Sequence, residues 1–317
     1  MKYVCKKIVL VAVTLLIVSF LVFVAFALIS GDPASRKLGT NGTPEQIEAL
    51  REEMGLNAPL PARYLRWLSG MLRGDMGKSY TYTEPVSKLV GASIPVTASL
   101  ALLAFVLTIV LSIPIGIYTA KHENALIDRI LLVLNQVVMS LPPFFSGILI
   151  SAVFGMSLKW FVPGAYVPYH TSISGFLAYL FWPALCIAIP KIAMTVKMLR
   201  ASLLEEAAKD YTRTAYSRGN TVNGVMYGHL LKNAMMPVVT FLGMVLADMV
   251  AGSIVVETIF SVPGVSNILI NSISNRDYPV VLAIITGMAL LIMLINLAVD
   301  LLYSLIDPRI RVSGKGS

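Results

Sequence analysis

The sequence predicts an all-α protein that crosses a membrane several times. Of its 317 residues, 56% are hydrophobic and only 13% charged, and mean hydropathy is +0.77, well above ordinary mixed composition. Several uncharged apolar runs approach the roughly 20 residues needed to cross a hydrocarbon core of about 30 Å. One soluble core could not hide them all.

Six runs qualify as spans: 8–29, 96–120, 130–156, 173–191, 236–256 and 280–303. An even number puts both termini on one side. The short connections on that side carry Lys6, Lys7, Lys121, Arg129, Lys197, Arg200, Lys209, Arg213, Arg218, Lys232, Arg309 and Arg311, whereas the opposite short loops offer Lys159 and Arg276. Basic residues concentrate in cytoplasmic loops, so the expected termini are cytoplasmic. The same rule accounts for the net charge of +8 without nucleic acid, because no basic stripe is interleaved with aromatics. Cys5 and Cys186 fall in or beside apolar stretches with no metal-ligand spacing, so neither a disulfide nor a metal site is expected. Lys6 and Lys7 before an apolar run ending near Ala25-Phe26-Ala27 also fit a cleaved signal peptide, but the run exceeds the usual signal core and is read as a retained anchor.

Between the first two spans, residues 30–92 are polar and mixed in charge, and are expected to form a small extracytoplasmic helical cap. Thr43-Pro44-Glu45-Gln46 reads as a helix start, with Thr43 as N-cap, Pro44 at the first helical position and Gln46 completing a capping box. Gly55 is the expected stop. Pro61 opens a second short helix, with Tyr64, Leu65, Leu68 and Leu72 on one face and Gly74 at its end. In the third span, Pro142-Pro143 removes two backbone donors and must bend or break the helix, either beside the translocation pathway or as a packing kink.

Residues 199–235 form the longest cytoplasmic stretch. Leu204, Ala208, Tyr211 and Ala215 recur at helical spacing, while Glu205, Lys209 and Arg213 line another face, so one amphipathic helix is predicted over 201–218. Gly219 ends it, and Thr221 caps a second helix running through Tyr227, Leu230 and Leu231 to Pro237. A stiff two-helix elbow of this kind can turn movement of a cytoplasmic partner into tilting of the flanking spans. A basic amphipathic segment can equally lie on lipid headgroups.

The sequence resembles a family at many points in order: Gly31-Asp32-Pro33-Ala34; Tyr64-Leu65-Arg66-Trp67 through Gly74-Asp75-Met76-Gly77-Lys78-Ser79; Asp210-Tyr211-Thr212-Arg213-Thr214-Ala215 with Gly219; His229, Lys232-Asn233-Ala234 and Pro237; Val256-Glu257-Thr258 with Phe260; Pro263-Gly264; Arg276-Asp277-Tyr278-Pro279; and Asp307-Pro308-Arg309-Ile310-Arg311. It is similar over nearly its whole length to the permease subunits of dipeptide, oligopeptide and nickel importers of the ATP-binding-cassette superfamily. The resemblance implies a type I importer permease fold with a cytoplasmic tip and first transmembrane helix at 1–29, a cap at 30–92, a five-helix permease core at 93–306 containing the coupling loop 199–235, and a cytoplasmic tail at 307–317. It implies that Asp210, Tyr211, Arg213, Thr214, Ala215, Arg218 and Gly219 couple to an ATPase. Counting back six residues from Gly219 places the superfamily's EAA motif at Arg213-Thr214-Ala215. The literal Glu206-Ala207-Ala208 is out of register and reads as coincidence.

No phosphate-cradling G-x-x-x-x-G-K-[ST] loop is present: Gly77-Lys78-Ser79 has Leu72 where the first glycine belongs. Catalytic groupings are also missing, with His122, His170 and His229 far apart, so an enzymatic role is not expected. The chain itself is expected to bind no cofactor, ATP and Mg belonging to partner subunits. The implied partners are a second homologous permease, two ATP-binding-cassette ATPases and an extracytoplasmic substrate-binding protein, in a bacterial-type inner membrane. Within spans, Asp248 is a candidate pathway residue facing water or a basic partner, together with Pro142 and Pro143. Lys191 and Asp300 lie nearer span ends, where snorkelling or interfacial solvation is expected. Glu257, near the outer end, is a candidate for a gate or for contact with the binding protein. Peptides are the expected substrate; nickel or another small solute is the alternative within the family. An ion-coupled secondary transporter or a membrane scaffold are the alternatives outside it.

Overall fold

The computed structural model describes residues 2–28, 32–39 and 42–306. The motif at Asp307-Pro308-Arg309-Ile310-Arg311, the tail at 307–317 and Gly31 lie outside the described residues. The helices are α1 (Lys2–Leu28), α2 (Pro33–Leu38), α3 (Pro44–Glu53), α4 (Leu60–Leu72), α5 (Val86–Lys121), α6 (Leu126–Ser140), α7 (Pro143–Ile150), α8 (Ile173–Ala207), α9 (Asp210–Ser217), α10 (Val222–Val225), α11 (Leu231–Ile259), α12 (Val265–Ser274) and α13 (Tyr278–Ile306). π-helical turns continue α7 over Ser151–Ser157 and join α10 to α11 over Met226–Leu230. Five of the helical stretches are long and apolar enough to cross a membrane, and α6 with α7 makes a sixth if the bent pair is one span. That pair turns by 103° at the Pro142-Pro143 step, as two adjacent missing donors require. Two compact units emerge, one from residues 1–98 and 262–293, the other from 99–261 and 294–317.

In the first unit, the capping box at α3 is as the sequence predicts: Gln46 N–H donates to Thr43 Oγ1 at 3.3 Å and Thr43 N–H to Gln46 Oε1 at 3.1 Å. Gly55 follows the helix at φ +65°, a left-handed position that favours glycine. In α4 the expected common face is corrected. Tyr64 is buried and Leu68 half-buried, but Leu65 and Leu72 are exposed, because packing onto α1 uses Tyr64, Trp67 and Leu68. Tyr64 sits edge-on to Phe20 and Phe23, with ring centroids 5.3 and 5.4 Å away, and its hydroxyl lies 2.9 Å from Ser19 Oγ. The cap is thus stapled to the apolar shaft of α1.

The same unit holds a fully buried carboxylate, Asp277, between α12 and α13. The loop at 77–86 folds back on itself through Ser79 N–H to Glu84 C=O at 2.9 Å and Val86 N–H to Gly77 C=O at 3.0 Å. Its tip then donates to Asp277 from the Ser79 hydroxyl and from the backbone N–H groups of Tyr80 and Thr81, the latter two at 3.0 Å. A buried charge demands this many donors. The two family-like motifs around Lys78 and Asp277, nearly 200 residues apart, therefore form one joint.

In the second unit, α11 packs on α8 and α7, and α6 on α8. Small residues allow the closest approaches: a Cβ added to Gly243 would lie 2.1 Å from Val299 Cγ2, and one at Gly116 would lie 2.9 Å from Leu199 Cδ2. Asp128, 1% exposed, takes a two-pronged contact from Arg200, with Nε at 2.9 Å and Nη2 at 2.7 Å, tying the start of α6 to the later part of α8. Aromatic rings gather at the other end of α8, where Trp182 stacks on Phe161 at 4.9 Å and lies 5.1 Å from Phe154.

Two outcomes test these joints. Replacing Asp277 with Ala leaves the buried Ser79 hydroxyl and two partly buried N–H groups without their acceptor and is expected to lower stability by about 1–3 kcal/mol, read as a drop in apparent melting temperature of the detergent-purified protein. Gly243→Leu should prevent the α11–α13 contact and reduce the folded yield far more than Gly252→Leu, since a Cβ at Gly252 meets nothing within 4 Å.

Candidate functional site

The stretch after α8 is where structure and expectation differ most usefully. The predicted single helix over 201–218 is interrupted. α8 continues from the membrane as far as Ala207, and the chain then leaves helical geometry at Lys209 (φ −75°, ψ 149°) before α9 begins at Asp210. At 1.5 Å per residue the 35 residues of α8 extend about 52 Å, more than a hydrocarbon core of about 30 Å, so the helix projects well beyond the bilayer.

Glu206 organises the break. Its Oε1 accepts from Lys209 Nζ and its Oε2 from the Tyr211 hydroxyl, each at 2.5 Å, while its backbone C=O accepts from Thr212 Oγ1 at 2.9 Å. The Tyr211 oxygen in turn accepts from Asn233 Nδ2, at 3.2 Å, near the start of α11. One carboxylate thus fastens α9 to α8, and one phenol extends the fastening to α11. Burial, reinforced by the bond to Glu206, pushes the Tyr211 phenol above its ordinary range, so it stays a donor at neutral pH. The Glu206-Ala207-Ala208 triplet, coincidental as a motif register, nevertheless supplies the anchor. The expected charged face of Glu205, Lys209 and Arg213 does not form, because Lys209 turns to Glu206.

Beneath this polar layer lies an apolar one. Ala215 of α9, Val225 of α10, and Met226 and Leu230 of the π turn pack with Leu199 and Leu203 of α8, Ile117 and Ala120 of α5, and Ala234 and Val238 of α11. Gly219 has φ +82° and open space around its missing Cβ, so it serves the turn rather than a close contact. Thr221 caps α10 through Gly224 N–H at 3.1 Å, as its position predicts. Lys121, at the end of α5, reaches Asn223 Oδ1 at 2.5 Å and stands 4.8 Å over the Tyr227 ring.

The seven expected coupling residues divide accordingly. Tyr211 and Ala215 face inward and brace the element. Asp210, Arg213, Thr214, Arg218 and Gly219 are exposed, joined by Tyr216, which sequence reasoning did not single out. The result is a rigid knob with a mixed-charge outer face.

Within the membrane-spanning part, Lys191 of α8 pairs with Asp248 of α11. This corrects the expectation that Lys191 snorkels to an interface: it lies near the middle of α8 and is 17% exposed, while Asp248 is 66% exposed. Pro142 and Pro143 lie at the bend between α6 and α7, both exposed, with the Pro143 carbonyl accepting from Cys186 Sγ at 3.2 Å. They are not brought to Asp248 by any contact among the described residues. Glu257 is fully buried in α11, so it offers no surface to an external protein. Asp300 is half-buried near the end of α13.

Comparisons with known proteins agree with this architecture. Residues 112–312 match the family described as binding-protein-dependent transport system inner membrane component, and residues 1–101 match the N-terminal region of the same class of membrane component. A probable peptide transporter permease of Sinorhizobium fredii is 33% identical over 309 residues, 98% of this chain and 99% of its own length. A putative peptide transport system permease of Brucella abortus is 36% identical over 297 residues, covering 94% and 95% of the two chains. An oligopeptide transport system permease of Bacillus subtilis is 33% identical over 311 residues, covering 97% and 98%. With its apolar helices, its braced knob and these matches across nearly every residue, the chain belongs to the inner-membrane permease components of binding-protein-dependent transport systems.

Proposed function

We propose that this permease imports peptides, and that α9 with the following turn is the element through which partner ATPases drive it. The observation that carries this reading is the knob itself. Its inner face is locked by Glu206, Tyr211 and Asn233 to two membrane helices, while Asp210, Arg213, Tyr216 and Arg218 project outward without burial. A force on the outer face is delivered to α8 and α11 with little slack. Peptide as cargo is supported by the relatives, named peptide or oligopeptide permeases. The proposed assembly has a second homologous permease, two ATPases that bind ATP and Mg, and an extracytoplasmic binding protein. Both termini and the loop 199–235 lie on the cytoplasmic side, residues 30–92 on the other, in keeping with the distribution of Lys and Arg.

Asp248 is assigned to the translocation pathway. Its neighbours on one stripe of α11, Pro237, Met244 and Val255, are also exposed. A carboxylate halfway along a span costs several kcal/mol against lipid, so this stripe looks onto water or protein. Lys191 holds the carboxylate in place and leaves most of it uncovered.

In reconstituted transporter, Arg213→Glu with Arg218→Glu should cut peptide uptake at least tenfold while basal ATP hydrolysis and membrane insertion persist; undiminished uptake would sink the coupling assignment. Gly219→Ala should give a smaller loss, because only the left-handed backbone is strained, at about 1 kcal/mol. For Asp248, exchanging the charges (Lys191→Asp with Asp248→Lys) is expected to recover the stability lost in Asp248→Ala but not the uptake. Recovery of uptake would reduce the pair to a structural tie.

A further inference from the structure

The first unit contains an open pocket of about 250 Å³ that the transport reading leaves unused. It is formed by the last turns of α1, the first turn of α13, the end of α3 and one face of α4, and it includes the Tyr64-Leu65-Arg66-Trp67 motif. Arg63 and Arg66 both line it, one helical turn apart on α4. Neither has a carboxylate within salt-bridge distance among the described residues: Arg63 stands 5.9 Å over the Phe23 ring, and Arg66 Nη1 lies against Gly55, 3.1 Å from where a Cβ would be. Two guanidinium groups with donors to spare thus converge on one cavity.

The ring of Trp67 also lines the pocket. Tyr80, another lining residue, has its phenol pushed to about 12 by burial, with Arg63 pulling the other way, so it keeps its proton. One carboxylate, Asp75, is part of the wall, with Oδ1 accepting from Gly77 N–H at 2.9 Å, which leaves the lining with a net positive charge. Such a surplus of donors calls for an oxyanion.

The surroundings identify its source. Phe23, Phe26 and Leu282 form apolar walls at the very ends of two membrane spans, the level at which headgroups lie. On α1, Phe20 and Leu21 are 48% and 60% exposed, and on α4 Leu65 and Leu72 are 63% and 81% exposed, an apolar surface suited to acyl chains running away from the pocket. We propose that the pocket binds the phosphate of a membrane phospholipid, gripped by Arg63 and Arg66, with its chains along α1. The lipid then fills the space between the cap and the shaft of α1 that the protein itself leaves open. A carboxylate at a peptide's end offers the same oxyanion chemistry, but it would bring no acyl chains to cover the leucines.

The full chain is placed in nanodiscs of phosphatidylglycerol and phosphatidylethanolamine and then transferred to mild detergent. Native mass spectrometry counts the phospholipid retained. Wild type should keep one phospholipid, and Arg63→Gln with Arg66→Gln should lower its occupancy at least fivefold. Arg66→Gln alone, at an exposed side chain with no ion pair among the described residues, should lower it at least threefold at an unchanged melting temperature, and this decides the matter if the double variant does not fold. Equal retention by wild type and Arg66→Gln overturns the proposal. So does displacement of the lipid by millimolar inorganic phosphate or by a dipeptide, which would make the site one for a free anion or for substrate. None of these readouts depends on uptake or on ATP.

Discussion

A charge taken out of water, at the end of a span or within it, must be answered from within the protein. Three such answers organise the chain. Asp277 is caged by donors from the loop at 77–86, which fixes that loop to the α12–α13 joint. Asp128 is clasped by Arg200, which sets the entry of α6 against α8. Lys191 meets Asp248 between α8 and α11. The first two are closed: both carboxylates are essentially removed from solvent. The third is left open on the acid side, and an unsheltered carboxylate amid apolar residues makes sense only beside water or another protein surface. That asymmetry is what sets Asp248 apart from Asp128 and Asp277 and supports its proposed place on the pathway.

The knob at the end of α8 obeys a related rule with the polarity reversed. Its interior is apolar, drawn from α5, α8, α9, α10 and α11, and its polar ties run along the seam where α9 leaves α8. An interfacial helix resting on headgroups would turn its apolar face toward lipid. Here Ala215 is buried in protein, and the outward residues are Asp210, Arg213 and Arg218, a face of mixed sign suited to a protein partner. The break at Lys209 lets α9 be held from two sides, by Glu206 of α8 and by Asn233 of α11 through Tyr211.

What the sequence made legible was local. The spans show in apolar length, the capping box of α3 in four consecutive residues, and the turn after α9 in Gly219 and Thr221, since each depends on neighbours a few positions away. The break at Lys209 was not legible: Glu206, Ala207 and Ala208 favour continuing the helix, whereas in the structure Glu206 bonds Lys209 and Tyr211, and Tyr211 is tied to Asn233, 22 residues on. The cage around Asp277 joins residues 196 to 198 positions apart. For α4, periodicity found an apolar stripe but could not say that Tyr64 and Trp67, rather than Leu72, would meet α1. For Lys191, the charge was visible and its partner was not.

The bent pair shows how tertiary contacts settle what hydropathy leaves open. A turn of 103° at Pro142-Pro143 is as compatible with a re-entrant loop as with a crossing. Its two ends, however, are pinned to different levels of the same helix, α8. At the start of α6, Asp128 binds Arg200, while beyond α7 Phe154 lies against Trp182. Eighteen positions separate Arg200 from Trp182, about 27 Å along a helix at 1.5 Å per residue, close to a hydrocarbon thickness of about 30 Å. A pair held at levels so far apart along α8 fits one broken span, which makes six candidate spans among the described residues. Six is the even number that the proposed cytoplasmic placement of both termini calls for.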